Sequence, residues 1–164
     1  MLTVKKASVK DIELIRQLTF SIWPDTYSNI ISKEQIDYML DMMYSPASLQ
    51  KQLTEDDCTF IITYDDDKPV AFASYNEIEL QVWKLNKLYI LSNQQGKGIG
   101  RYMINYIVTE IQKQDAKTLQ LQVNKQNPAK YFYEKIGFTV AKDFVFDIGN
   151  GFVMDDYIME LVLN

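Results

Sequence analysis

The sequence predicts an α/β fold built on one mixed sheet. Three observations predict it. Strand-like runs alternate with helix-patterned segments along most of the 164 residues; a strand ending near Ile90 passes through a glycine-rich turn straight into a helix; and the tail is two long β-rich runs around Asn150-Gly151. The Asn-Gly pair is a strong hairpin signal, so the closing strands are expected to be antiparallel while the helix crossovers permit parallel pairing earlier.

Residues 2 to 7 read as the first strand. Ser8-x-x-Asp11 then has the spacing of a reciprocal cap ahead of Ile12, Ile15, Leu18 and Ile22, which fall at near-helical intervals. A second cap, Ser32-x-x-Gln35, precedes Ile36, Met39, Leu40 and Met43 at i, i+3, i+4 and i+7, an amphipathic helix. Pro46 is expected to close it, with a short helix from about residue 47 to 53 beyond. Residues 58 to 64 and 69 to 76 are β-rich on either side of Asp65-Asp66-Asp67-Lys68 and read as a hairpin. Next come a strand over 82–91, a helix over 98–113, a strand over 118–124 in which Leu119, Leu121 and Val123 alternate with polar residues, and a short helix over 127–136 with Asn127 as cap and Pro128 at its first position. The tail runs over 138–146 and 152–163 form the final hairpin.

Composition bounds the function. At 47% hydrophobic content and without a Pro/Gly/Ser linker, residues 1–164 read as one domain with a sizeable core. No charged-then-apolar leader stands at the amino end and no apolar run nears the ~18 residues of a spanning helix, so the cytoplasm is the expected compartment. Cys58 is alone and the chain has no His, which excludes an internal disulfide, a Cys/His metal site and every His-based general-base scheme. Carboxylate-only metal sites have nothing to support them, so no metal is expected. A net charge of −5 argues against nucleic acid as a partner.

Residues 88 to 100, Leu-Tyr-Ile-Leu-Ser-Asn-Gln-Gln-Gly-Lys-Gly-Ile-Gly, carry the chemistry. Glycines let the backbone approach a diphosphate, the first N–H groups of the following helix lack internal partners, and the helix dipole adds about half a positive charge. Lys97 and Arg101 flank the turn with full charges. The spacing of Gly96, Gly98 and Gly100 fits neither a dinucleotide fingerprint nor a P-loop.

Two motifs together resemble the GNAT superfamily of acetyl-CoA-dependent N-acetyltransferases. Gln95-Gly96-Lys97-Gly98-Ile99-Gly100 is similar to that family's pyrophosphate loop, and Asn127-Pro-Ala-Lys-Tyr-Phe-Tyr133-Glu-Lys-Ile-Gly137-Phe138 to its N-x-A…F-Y-E-K-x-G-F signature. A looser likeness to bacterial diamine and spermine/spermidine acetyltransferases lies in Trp23…Thr26-Tyr27…Ser32 to Leu40 and in Lys84 to Ile90. The resemblance implies a strongly twisted sheet whose central strands splay apart, with acetyl-CoA as co-substrate, its pantetheine against Leu88, Tyr89 and Ile90, its diphosphate over Gln95 to Arg101, and Asn127 beside it.

Acyl transfer to an amine needs a proton acceptor, because an alkylamine of pKa about 10 is nucleophilic only when neutral, and a donor for the leaving thiolate. Tyr133 matches the family's usual acid. No carboxylate stands where the family often places a base: Lys84, Asn86, Gln120 and Gln122 occupy those strands, so water-mediated deprotonation is expected, with Glu79 the best side-chain candidate and Glu77 beside it. Acceptor recognition falls to residues 20–45 and the final hairpin. Trp23, Asp25, Tyr27, Glu34 and Tyr38 suit a polyamine, since carboxylates meet ammonium groups and rings add cation–π attraction; Asp147, Asp155 and Asp156 are the hairpin's acidic residues. Acetylation of a peptide amino terminus or protein lysine, and a non-catalytic acyl-CoA-binding module, are the competing readings. The apolar closing strands suggest a homodimer, and no membrane partner is expected.

Overall fold

The computed structural model describes residues 1–164. Seven strands, β1 (Leu2–Lys6), β2 (Thr59–Asp65), β3 (Lys68–Glu79), β4 (Val82–Ile90), β5 (Thr118–Asn124), β6 (Thr139–Gly149) and β7 (Phe152–Val162), form one sheet in the order β1-β2-β3-β4-β5-β7-β6. Only β4 and β5 pair in parallel. Five helices flank it: α1 (Ile12–Tyr27), α2 (Lys33–Tyr44), α3 (Pro46–Thr54), α4 (Ile99–Gln112) and α5 (Ala129–Ile136). No helix is long and apolar enough to cross a membrane.

The caps form as the spacing requires. Ser8 and Asp11 satisfy each other's backbone N–H groups and start the turn that leads into α1, and the Ser32 hydroxyl accepts from Gln35 N–H at the head of α2. Pro46 opens α3 rather than merely closing α2: Ser45 caps α3 through the Ser48 N–H and Pro46 takes the first position, where a missing N–H costs nothing. At α5 the Asn127 side chain accepts from Ala129 N–H, and the regular helix begins at Ala129, two residues later than the sequence predicts. Asn150 and Gly151 both take positive φ, 55° and 78°, the pair of left-handed residues that a tight β6–β7 hairpin needs.

One strand runs longer than the sequence predicts. β3 runs on to Glu79 and reverses through Leu80-Gln81 into β4, so Glu77 and Glu79 belong to the strand end of a second hairpin, where Glu77 accepts the Gln81 N–H. The sheet separates two cores. Residues of β4, β5, α4 and α5 such as Leu85, Met103, Leu121 and Tyr133 fill one; Ile15, Trp23, Met39, Tyr44 and Phe72 fill the other, beneath α1 to α3.

Candidate active site

The site begins with a pairing that stops. β4 and β5 are in register only from Val82↔Thr118 to Leu85↔Leu121. At the next residue β4 bulges: against β3, Tyr75 faces Leu85 and Ser74 faces Lys87, leaving Asn86 without an opposite number. An extra residue bends and twists a strand, and here it leaves the β5-facing edge of residues 86–90 without a strand partner. It also shifts the parity of the side chains. Trp83 and Leu85 pack in the α4/α5 core, and past the bulge Leu88 and Ile90 do, while Tyr89 joins the core beneath α1 to α3.

A cleft of about 760 Å³ opens at this divergence. Leu88, Tyr89 and Ile90 line one wall, Asn127 and Tyr133 another, and Gln95, Gly96, Gly98, Ile99, Gly100 and Arg101 its end. Gly96 and Gly98 have φ of 81° and 80°, and a Cβ on either would meet nothing within 4 Å. The loop is thus an open cradle that only glycine adopts without strain. Gly98 leads into α4, whose buried stripe of Ile99, Met103, Ile104, Ile107 and Ile111 fixes the helix axis and with it the direction of the free amides. Lys97 does not line the cleft; its amine bonds Gln94 at 3.1 Å, because the side chain turns outward between two left-handed glycines.

On the α1/α2 side of the same divergence lies a second cavity of about 250 Å³. The two share Tyr27, Leu85, Asn86, Lys87, Tyr89 and Gln122, so they meet across the splayed strands. Of the residues expected to hold the acceptor, Trp23 and Tyr27 line this cavity. Asp25 lies on the larger cleft, where it accepts from the Ser92 hydroxyl at 2.7 Å. Glu34 and Tyr38 line neither. The reason is helical phase: Ile36 and Met39 turn the apolar face of α2 inward, which sends Glu34 and Asp37 to solvent, where Asp37 pairs with Lys33. Tyr38 is spent on the closing hairpin, donating to Ile148 O at 2.6 Å and packing on Phe152.

Glu79 is also misplaced for the role expected of it. It is exposed at the end of β3, paired with Val82, and lines neither cavity. Roughly 20 Å of strand, at about 3.3 Å per residue, lies between that end of β4 and Tyr89. The carboxylate that does enter the smaller cavity is Asp156 on β7, 2% exposed and without a protein hydrogen-bond donor on its side chain. Burial, and then the neighbouring Asp155 charge, push its carboxyl up to about 6 against the pull of Lys84 and Lys125.

Lys84 and Lys87 share the cavity. The Lys84 amine donates to Gln122 Oε1 at 3.3 Å; the Lys87 amine donates to Gln52 Oε1 at 2.6 Å and lies over the rings of Tyr44 and Phe60. Burial lowers both amines, Lys87 to about 8. By sequence alone, Lys84 and Lys87 fall within the looser likeness of residues 84–90, with Lys84 where a base is usual, and neither lysine is given a role. The available signal was the apolar pattern Trp83, Leu85, Leu88, Ile90, whose break in parity marks a bulge and reassigns the face of every later residue.

The tyrosines close the junction. Tyr27 and Tyr89 hydroxyls are 2.9 Å apart, within a cluster that includes Trp23, Tyr44 and Phe72. Burial raises the Tyr27 phenol, which the bond to Tyr89 lowers and the Asp156 charge raises again. Tyr133 is 8% exposed, wedged between Phe132 and Phe138, and raised first by burial and then by Tyr27. It is a neutral phenol throughout the physiological range. A proton donor on one cavity, a buried carboxylate on the other and an open amide cradle at the far end can together serve the transfer of an activated group to an amine.

Comparison with known proteins places these features in a family. The family of acetyltransferase (GNAT) domains matches residues 28–161. The spermidine N(1)-acetyltransferase of Thermoplasma acidophilum is 25% identical over 157 residues, 93% of this chain and 94% of that one. The [ribosomal protein bS18]-alanine N-acetyltransferase of Haemophilus influenzae is 35% identical over 54 residues, 33% of this chain and 37% of its own. Among solved structures, PaiA N-acetyltransferase from T. acidophilum in complex with coenzyme A superposes with a TM-score of 0.84 at 24% identity, covering 99% of both chains.

Proposed function

The chain belongs to the GNAT acetyltransferase family, and from that membership we propose that it moves the acetyl group of acetyl-CoA directly onto the primary amine of a small acceptor, with Tyr133 as general acid. The observation that carries this reading is the meeting of the two cavities at Tyr27, Leu85, Asn86, Lys87, Tyr89 and Gln122, because direct transfer requires donor and acceptor to reach one point from opposite faces of the sheet. The cradle at Gly96 and Gly98 fits a diphosphate, since its amides are free, its space is open and Arg101 is on the wall.

Acetyl-CoA supplies a thioester already activated toward amines. The protein's part is to hold and to move protons. The unpaired edge of residues 86–90 offers backbone groups to an extended arm, and Asn127, on the opposite wall, narrows the path toward Tyr133. Tyr133 holds a proton for the sulfur that leaves when the new C–N bond forms. Asp156 accepts one from the incoming ammonium, in the place expected of Glu79; its raised pKa makes it a better base than a solvated carboxylate while it stays ionised at neutral pH.

Likeness to the spermidine enzyme supports a polyamine as acceptor. The cavity lining does not, because Glu34 and Asp37 face solvent and two lysines stand where ammonium groups would bind. The relative that favours peptide acetylation matches a third of the chain. Self-association through the outermost strand β6 belongs to the same reading, since that strand exposes Val140, Phe144 and Val145.

The test is release of free thiol from acetyl-CoA in the presence of amines. Tyr133→Phe keeps the ring and removes the acid, so kcat should fall about 10²-fold with little change in acetyl-CoA affinity by calorimetry. Wild-type turnover in that variant would make Tyr133 a packing residue.

A further inference from the structure

Resting on the acetyl-transfer reading, we infer that the acceptor is a primary amine that also carries an anionic group, a carboxylate or a phosphate, held between Lys84 and Lys87 while its amine faces Asp156. Neither lysine has a carboxylate within 4.0 Å, although nine other ion pairs form in the molecule. Surface lysines satisfy themselves with water. These two line a cavity, and their only polar protein partners are the neutral amides of Gln122 and Gln52. A cation withdrawn from water without a counter-ion is costly, and burial does depress both amines. A ligand anion would supply the missing partner.

Other donors point the same way. The indole Nε1 of Trp23, a residue of the cavity wall, is buried beside the Tyr44 hydroxyl and makes no hydrogen bond of good geometry. With Lys84 and Lys87 it makes three groups that donate and cannot accept. Asp156 is the cavity's single carboxylate, so the lining carries two positive charges against one negative. Lys84 lies within electrostatic reach of Asp156, whereas Lys87 is influenced by Cys58 and Lys84 instead. The charges are therefore graded along the cavity, negative toward β7 and positive toward Gln52 and Tyr44. That polarity matches a small zwitterion and opposes a chain of ammonium groups.

Three acceptors of similar length separate the possibilities: γ-aminobutyrate, pentylamine and putrescine, ending in carboxylate, methyl and ammonium, with aminopropylphosphonate as the second anionic arm. Thiol release from acetyl-CoA is the readout. Both anionic acceptors should exceed pentylamine in kcat/KM by about tenfold or more, and putrescine should be the poorest. The better of the two anionic acceptors identifies the group. In Lys84→Met and Lys87→Met the ratio of γ-aminobutyrate to pentylamine should collapse toward one, and γ-aminobutyrate, which should raise the wild-type melting temperature, should leave that of the variants unmoved. Turnover that favours pentylamine or putrescine, or a ratio unmoved by either substitution, would overturn the anionic acceptor and leave acetyl transfer standing. Silence across a broad panel of small amines, with acetyl-CoA bound, would overturn the small-acceptor reading beneath it.

Discussion

Asp155 and Asp156 are neighbours in the chain, and a strand sends them to opposite faces. Asp155 stays outside, where Lys125 bonds it and Asp143 together at 2.9 Å each. Asp156 turns inward to the smaller cavity. The consequence is a carboxyl that titrates at about 6 in the fold and near 3.9 in the unfolded chain. The folded state thus binds this proton more tightly, so its contribution to stability is full below about pH 4 and is lost as pH rises through 6. Asp156→Asn should raise the melting temperature at pH 7.5, by an amount equivalent to roughly 1–3 kcal/mol. The same variant should lower kcat/KM and erase its acid limb, which in the wild type falls as pH drops through about 6. A less stable variant with an unchanged pH profile would remove Asp156 from the chemistry. The sequence shows an acidic pair in the middle of the last strand; which member faces inward depends on the pairing of Asn124 with Asp156, more than thirty residues apart, and no local pattern reports it.

Elements carry the site by the way they end or break. The glycine loop was legible because its requirements are local: positive φ at Gly96 and Gly98, and a following helix with a strong apolar stripe. The bulge at Asn86 was written less plainly, as a slip in the alternation of Trp83, Leu85, Leu88 and Ile90. Without it Lys87 would face the wrong core. Gly100 serves a different need from its neighbours, since a Cβ there would stand 2.7 Å from Phe132 Cζ and 3.2 Å from Ile90 Cδ1. It lets α4 press against α5 and β4. Gly100→Ala should therefore cost about 1–3 kcal/mol through overpacking, a fall of about 2–4 °C in melting temperature for each kcal/mol. Because the displaced Phe132 adjoins Tyr133, kcat should fall as well. Gly98→Ala meets no atom, so its cost of about 1–2 kcal/mol is that of a left-handed backbone alone, and its signature is weaker acetyl-CoA binding in calorimetry. Equal effects from both substitutions on kcat and on affinity would contradict this division of labour.

At the scale of the whole molecule, the alternation of strands and helices fixes the class, and the Asn-Gly hairpin fixes the antiparallel end. Strand order is another matter: β7 inserts between β5 and β6, where Ile158 and Met159 are buried, through pairings with β5 more than thirty residues away in the chain. That insertion brings Asp156 beside β5 and leaves β6 as the edge. An edge of eleven residues presents a row of unpaired backbone groups, and proteins blunt such edges with charge or cover them. Here Lys142, Asp143 and Asp147 provide some charge, but Val140, Phe144 and Val145 are 41%, 49% and 55% exposed. Pairing with a second copy would cover both the backbone row and these side chains. The wild-type protein is therefore expected to sediment as a dimer, and Val145→Lys, which places a charge in the middle of the contact while touching no core residue, as a monomer with an unchanged melting profile at low concentration. A monomeric wild type at concentrations well above those of the assay would show that charge alone protects the edge, and would leave the catalytic cavities, which are lined by other strands, untouched.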